Sequence, residues 1–150
     1  MKRYIDVHTG EIMAGRGEVI LKSDCRSACL VIAAYDAENK IGGLAHAFFS
    51  KGKYAGKQSY TRILDTSGAI EKMIEDMSFL GAHKECIEIC LVSAENVPHE
   101  PHDLEYDHNI AKVIDLLRQK HIRFRDDSST DIGNHHVALD VGSGSVLSVN

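Results

Sequence analysis

The sequence predicts an α/β domain, and three observations carry that expectation. Apolar runs of strand length lie toward both ends, two segments between them repeat apolar residues at helical spacing, and no internal repeat, low-complexity tract or linker divides the chain. At 150 residues the chain fits a single domain, 1–150, large enough to bury a core without disulfides or a structural metal.

Taken in order, Gly17-Glu18-Val19-Ile20-Leu21-Lys22 leaves a glycine-containing turn and reads as a strand running to Ser23 and Asp24. Ala28 to Tyr35 is a nearly continuous apolar run, the pattern of a strand covered on both faces. Asp36 to Lys40 is a polar turn, and Ile41 to Phe49 reads as the returning strand. A tight turn makes these two an antiparallel pair, with the start of the first close to the end of the second. Ser50 to Gln58 has Lys and Gly but no apolar period, and is expected to be a surface loop.

The clearest helix carries Ile70, Met73, Ile74, Met77 and Leu80, after a start containing Asp65, Thr66 and Ser67 and before Gly81. Glu85 to Val92 alternates as a strand, and Ser93 to Asp107, which holds both prolines, reads as an exposed loop. A second helix carries Ile110, Val113, Ile114 and Leu117, followed by a short strand over His121 to Arg125 and a polar loop from Asp126 to Asn134. Val137 to Val141 and Val146 to Val149 flank Gly142-Ser143-Gly144-Ser145 as a closing hairpin. No Lys-Ser/Thr and no helix follow that glycine-serine run, which argues against a phosphate loop.

Composition narrows the function. Hydrophobic residues at 43% and charged residues at 26% describe a soluble globular protein. A formal net charge of -5 is the wrong sign for a nucleic-acid binder, which needs excess Lys and Arg to displace counterions from phosphates. The one basic run, Lys120 to Arg125, reads as the solvated face of a strand. No apolar stretch approaches the ~20 residues of a membrane helix, and Met1 to Asp6 lacks a signal-peptide core, so no membrane insertion and a cytoplasmic location are expected. Four cysteines in such a chain are expected to be thiols rather than bridges.

A thiol with an ordinary pKa of about 8.5 is mostly protonated at neutral pH, so a nucleophilic cysteine needs a histidine or another positive neighbour. The antiparallel pair supplies one candidate: Cys29 at the start of one strand and His46 near the end of the next. Such a pair suits attack on an amide or ester carbonyl, with the imidazole passing the proton to the leaving group. A third group usually orients the imidazole, and Ser23 is the candidate for that place.

Read together, Gly10-Glu11, Ser23, Ser27-Ala28-Cys29 and Ile41-Gly42-Gly43-Leu44-Ala45-His46 resemble the CheD family of chemoreceptor glutamine deamidases, with the relative spacing preserved. The likeness continues through Asp65-Thr66, Met73 to Met77, Leu80-Gly81-Ala82, Asn109, Asp131-Ile132-Gly133 and the final hairpin. It implies a three-layer α/β/β sandwich with mixed, largely antiparallel sheets. It also implies Cys29 as nucleophile, His46 as general base and acid, and Ser23 in the place of a catalytic threonine, with no cofactor and no metal. The implied substrates are glutamine side chains on cytoplasmic receptor helices. A second reading keeps the fold as a weakly catalytic binding module for a CheC-like phosphatase or another signalling partner.

The chain departs from the family pattern at several places. Ser23 stands for threonine, Arg26 for an apolar residue, Ser27-Ala28 for the Gly-Ser before the nucleophile, Val92 to Asn96 for a Phe-Gly-Gly-Ala segment, and Asp131-Ile132-Gly133-Asn134 for Asp-x-Gly-Gly. Two metal readings are weaker. Cys25, Cys29, Cys86 and Cys90 are spaced unlike a zinc knuckle, and His99, His102 and His108 sit in an acidic segment that reads as a hydrated surface.

Overall fold

Two periodicities, one of strands and one of helices, sort the chain into layers. The computed structural model describes residues 2–8, 10–24, 29–48, 66–94, 104–127 and 136–149. In chain order these form β1 (Arg3–Val7), β2 (Ile12–Arg16), β3 (Val19–Asp24), β4 (Cys29–Asp36), β5 (Ile41–Phe48), α1 (Thr66–Phe79), a 3-10 turn at Lys84–Cys86, β6 (Ile87–Ala94), α2 (Leu104–Gln119), β7 (Arg123–Asp127), β8 (His136–Asp140) and β9 (Ser145–Val149). One sheet runs β1-β3-β8-β9 and the other β2-β5-β4-β6-β7. The β1–β3 and β6–β7 pairs are parallel, and the remaining pairs are antiparallel.

Strand β4 explains why its sequence reads as one apolar run. It is central in the five-stranded sheet, and alternate residues are buried in opposite directions. Leu30, Ile32 and Ala34 pack in one cluster with Ile70, Met73 and Met77 of α1 and Leu117 of α2. Val31 and Ala33 pack in another with Val19, Leu21, Val137 and Leu139 of the four-stranded sheet. The result is helices over one sheet and that sheet over the other, the α/β/β order the resemblance implied.

The adjacent glycines of β5 make this stacking close. A Cβ on Gly43 would lie 2.7 Å from Met73 Cγ, and one on Gly42 would lie 2.8 Å from Leu139 Cδ2. One glycine therefore admits the helix and its neighbour admits the second sheet, a use of strand glycine that depends on space rather than on dihedrals.

Both helices end in the same capping pattern. Ala82 N–H donates to Met77 O and Gly81 N–H to Ser78 O, with Gly81 at φ +115°. Ile122 N–H donates to Leu117 O and His121 N–H to Arg118 O, with His121 at φ +57°. These are Schellman closures, and glycine meets the left-handed position without the strain that the histidine carries. No helix among the described residues is long and apolar enough to cross a membrane.

The structure corrects several boundaries. Strands β1 and β2 carry no clean alternation and were not expected as elements; they form because their partners β3 and β5 take up their backbone groups. Glu85 and Cys86 belong to the 3-10 turn, and β6 runs on through Ser93 and Ala94, which pair with Leu30 and Cys29. Helix α2 begins at Leu104, ahead of the apolar period that starts at Ile110, and β7 continues to Asp127. The expected loop at 50–58, the rest (128–134) of the loop expected from Asp126 to Asn134, and the segment 95–103 lie outside the described residues.

Candidate functional site

Three polar residues are buried among the described residues: Ser23, Asp36 and His46. Asp36 sits at the β4–β5 turn, and its carboxylate accepts hydrogen bonds from the backbone N–H groups of Glu38 (3.1 Å), Asn39 (3.2 Å) and His83 (2.9 Å) and from Asn39 Nδ2 (2.8 Å). Burial by itself pushes its pKa up, but these hydrogen bonds from Asn39, His83 and Glu38 more than offset that and hold it below the ordinary aspartate value. Asp36 thus ties the turn to the segment after α1. Ser23 and His46 lie at the other end of the sandwich.

Alternation places both in the layer between the sheets. Ser23 follows Val19 and Leu21 on the face of β3 that meets the five-stranded sheet, and it is 0% exposed. His46 follows Gly42 and Leu44 on the face of β5 that meets Leu139, and it is 2% exposed with Nδ1 sealed from solvent. Ser23 Oγ is also sealed and has no hydrogen-bond partner among the described residues.

Connectivity brings the ends of β3 and β5 together. Ser23 pairs with Val7 at the end of β1. The chain then turns within a few residues and meets His46: Gly10 N–H donates to His46 O (2.8 Å), and His46 N–H donates to Glu11 O (3.1 Å). On the other side, only residues 25–28 separate Asp24 at the end of β3 from Cys29 at the start of β4.

Cys29 therefore opens β4 at the same end. Its register partners are Phe48 on β5 and Ala94 on β6, while the partner of His46 is Val31. Cys29 and His46 are thus diagonal rather than directly opposite, on adjacent strands and at positions of like parity. Diagonal neighbours across an antiparallel pair are about 7–8 Å apart at Cα.

The described thiols are those of Cys86 and Cys90. Burial pushes the Cys86 thiol up, and its hydrogen bond to Glu38 Oε2 (3.5 Å) together with that carboxylate's charge adds to the shift. Cys90 is buried in the inter-sheet layer and accepts from Arg125 Nη2 at 3.3 Å. Cys86 ends the 3-10 turn and Cys90 lies within β6, so the two do not lie along one strand. No group of three His, Cys, Asp or Glu among the described residues could hold a metal ion. Cys25, His99 and His102 lie outside those residues.

Among curated relatives, a probable chemoreceptor glutamine deamidase CheD from Chlorobium luteolum is 31% identical over 124 residues, 79% of this chain. Proteins of the same name from Thermococcus kodakarensis and Pyrococcus abyssi are 28% and 25% identical over 95% and 97% of the chain. Four curated relatives of this name, 24–31% identical over most of the chain, support a divergent member of the CheD family. The match spans 59% of the length of the Chlorobium relative, and 89% and 91% of the two archaeal ones. No family model matches the sequence.

The structure gives a place to residues that carry, or depart from, the likeness to CheD. The Gly10-Glu11 pair contacts the backbone of His46, and the Ser93-Ala94 part of the segment that departs from the CheD pattern runs beside the first residues of β4. Neither adjacency was visible from spacing, because it arises from strands brought together across the sheet. The remaining departures, Arg26, Ser27-Ala28 and Asp131 to Asn134, lie outside the described residues.

Proposed function

We propose that this chain is a cysteine-dependent protein-glutamine deamidase acting in the cytoplasm on side-chain amides of chemoreceptor helices. The observation that carries the proposal is the register of β4 and β5, which sets Cys29 diagonal to His46 at one end of the sandwich, with the buried hydroxyl of Ser23 at the same end of the facing sheet. The names of the relatives supply the substrate class.

His46 takes the thiol proton of Cys29, and the thiolate sulfur adds to the glutamine side-chain carbonyl. The imidazolium returns the proton to the departing nitrogen, ammonia leaves and a thioester remains. Water, deprotonated by His46, then opens the thioester to glutamate, and the proton returns to sulfur. Ser23, on the facing sheet at the same end, is the hydroxyl placed to take the part of the third group of other nucleophile–histidine sets once substrate is bound. None of these steps calls for a cofactor.

The test is a purified receptor cytoplasmic fragment incubated with the protein, with ammonia release and amide-to-acid conversion followed by mass spectrometry. Alkylation of all four cysteines is mapped against pH in parallel. Conversion that disappears in Cys29→Ala, together with reaction of Cys29 well below pH ~8.5, supports the proposal. An intact receptor fragment and an inert Cys29 would reject it in favour of a binding module that keeps the fold, for which a CheC-like phosphatase is the partner to try.

A further inference from the structure

The contact between His46 and Gly10-Glu11 has a specific form. Ile12 pairs with Ala45 in the ordinary β2–β5 ladder, but the next residue of β5, His46, faces two residues on the other strand. Gly10 N–H donates to His46 O, His46 N–H donates to Glu11 O, and Gly10 has φ +84°. Two residues against one, with a left-handed glycine first, make a G1 β-bulge, a device that raises local twist and re-aims a side chain.

The bulge is locked from both sides. Glu11 N–H donates to His8 O (2.8 Å), closing a four-residue turn with Gly10 at its third position, where positive φ favours glycine. The Glu11 carboxylate reaches back and accepts the His8 N–H through Oε1 at 2.7 Å. Backbone and side chain of one exposed residue thus hold the turn shut, and the turn holds both backbone hydrogen-bonding groups of His46.

We infer that Glu11 is a positioning residue that acts through this bulge to aim His46, an inference that rests on the amidohydrolase reading of the site. Glu11 does not touch the reacting atoms. It fixes where β5 carries the imidazole relative to Cys29, which adjoins it on the diagonal. A small misplacement of a catalytic group costs up to about a hundredfold in rate, so a loosened bulge is expected to be felt in the chemistry before it is felt in the fold.

The experiment compares Glu11→Ala with Glu11→Gln, which keeps an oxygen able to accept from His8 N–H, and uses Gly10→Ala as an independent strain on the bulge. Three readouts are taken on the whole chain: the pH profile of Cys29 alkylation, the NMR titration of the His46 imidazole, and thermal melting. Glu11→Ala and Gly10→Ala are expected to slow Cys29 alkylation at neutral pH by about ten- to a hundredfold and to move the His46 titration, while Glu11→Gln stays near wild type. Melting that falls equally in Glu11→Ala and Glu11→Gln with no change in either profile would assign the bulge to stability alone and overturn the inference. An activated wild-type Cys29 untouched by Glu11→Ala also overturns it and leaves the deamidase reading standing. An ordinary alkylation profile in wild-type Cys29 instead sinks the deamidase reading, and an aiming role in that reaction with it.

Discussion

The two ends of the β4–β5 hairpin bury polar groups in opposite ways. At the turn, Asp36 is enclosed but saturated by donors from Glu38, Asn39 and His83. At the open end, Ser23 Oγ is enclosed with no hydrogen-bond partner among the described residues, and His46 lies in the same layer with its backbone gripped by a bulge. A buried polar group that serves stability is saturated, because each unmet donor or acceptor costs about 1–3 kcal/mol. A buried hydroxyl with no partner among the described residues, in the same layer as a buried imidazole, costs stability and is the kind of exception that functional sites retain.

That contrast can be broken at either end. The largest expected effect is at the open end: His46→Ala lowers deamidation by about 10²–10⁴-fold, measured on a receptor fragment, while the variant stays folded. A variant that unfolds instead would make His46 a structural residue like Asp36.

Next in size is the turn. Asp36→Ala leaves its donors unmet and is expected to cost about 2–4 kcal/mol in urea unfolding while the folded protein keeps its turnover. The acid limb follows with a definite sign. The Asp36 pKa is depressed in the folded state, so its contribution is present above the unfolded value of about 3.9 and is lost as pH falls through the lower folded value. Asp36→Asn removes that part of the acid dependence, which unfolding midpoints taken across low pH would reveal.

A third substitution tests the strand that joins the ends. Gly43→Ala places a methyl against Met73, whose Cγ lies 2.7 Å from the added Cβ, and overpacking of this kind costs about 1–3 kcal/mol. Flexible Met73 and Met77 side chains that absorb it without loss would show a softer helix layer than the distances imply. The smallest expected effect on stability is Ser23→Ala, under about 1 kcal/mol, because the hydroxyl lost has no bond to give up among the described residues. Its signature is catalytic: turnover falls while the melting temperature holds, and Ser23→Thr restores turnover.

Much of this was legible from residues alone. The run from Ala28 to Tyr35 announced a doubly covered strand, Asp36 to Lys40 announced its turn, and Ile70 to Met77 announced α1 up to its glycine cap. These segments are long, strongly patterned and closed by local signals, so neighbours in sequence carry the information. Strands β1 and β2 were not legible. Arg3 to Val7 carries its charges at Arg3 and Asp6, three positions apart and so out of step with a two-residue period, and Met13-Ala14-Gly15 has too little contrast to alternate. Their identity depends on the parallel partner β3 and on β5, which are distant in sequence.

The same division holds at the site. By itself the sequence determined that a cysteine and a histidine open and close one hairpin, that two glycines precede the histidine, and that the ordered set resembles CheD. Tertiary structure decided that the pair is diagonal, that Ser23 lies across the sheet interface at the same end, and that Gly10 and Glu11 oppose His46 as a bulge. The reason is physical: hairpin pairing is a local consequence of turn and apolar run, whereas sheet stacking, parallel pairing and bulges are settled by which buried faces and backbone groups can be satisfied together.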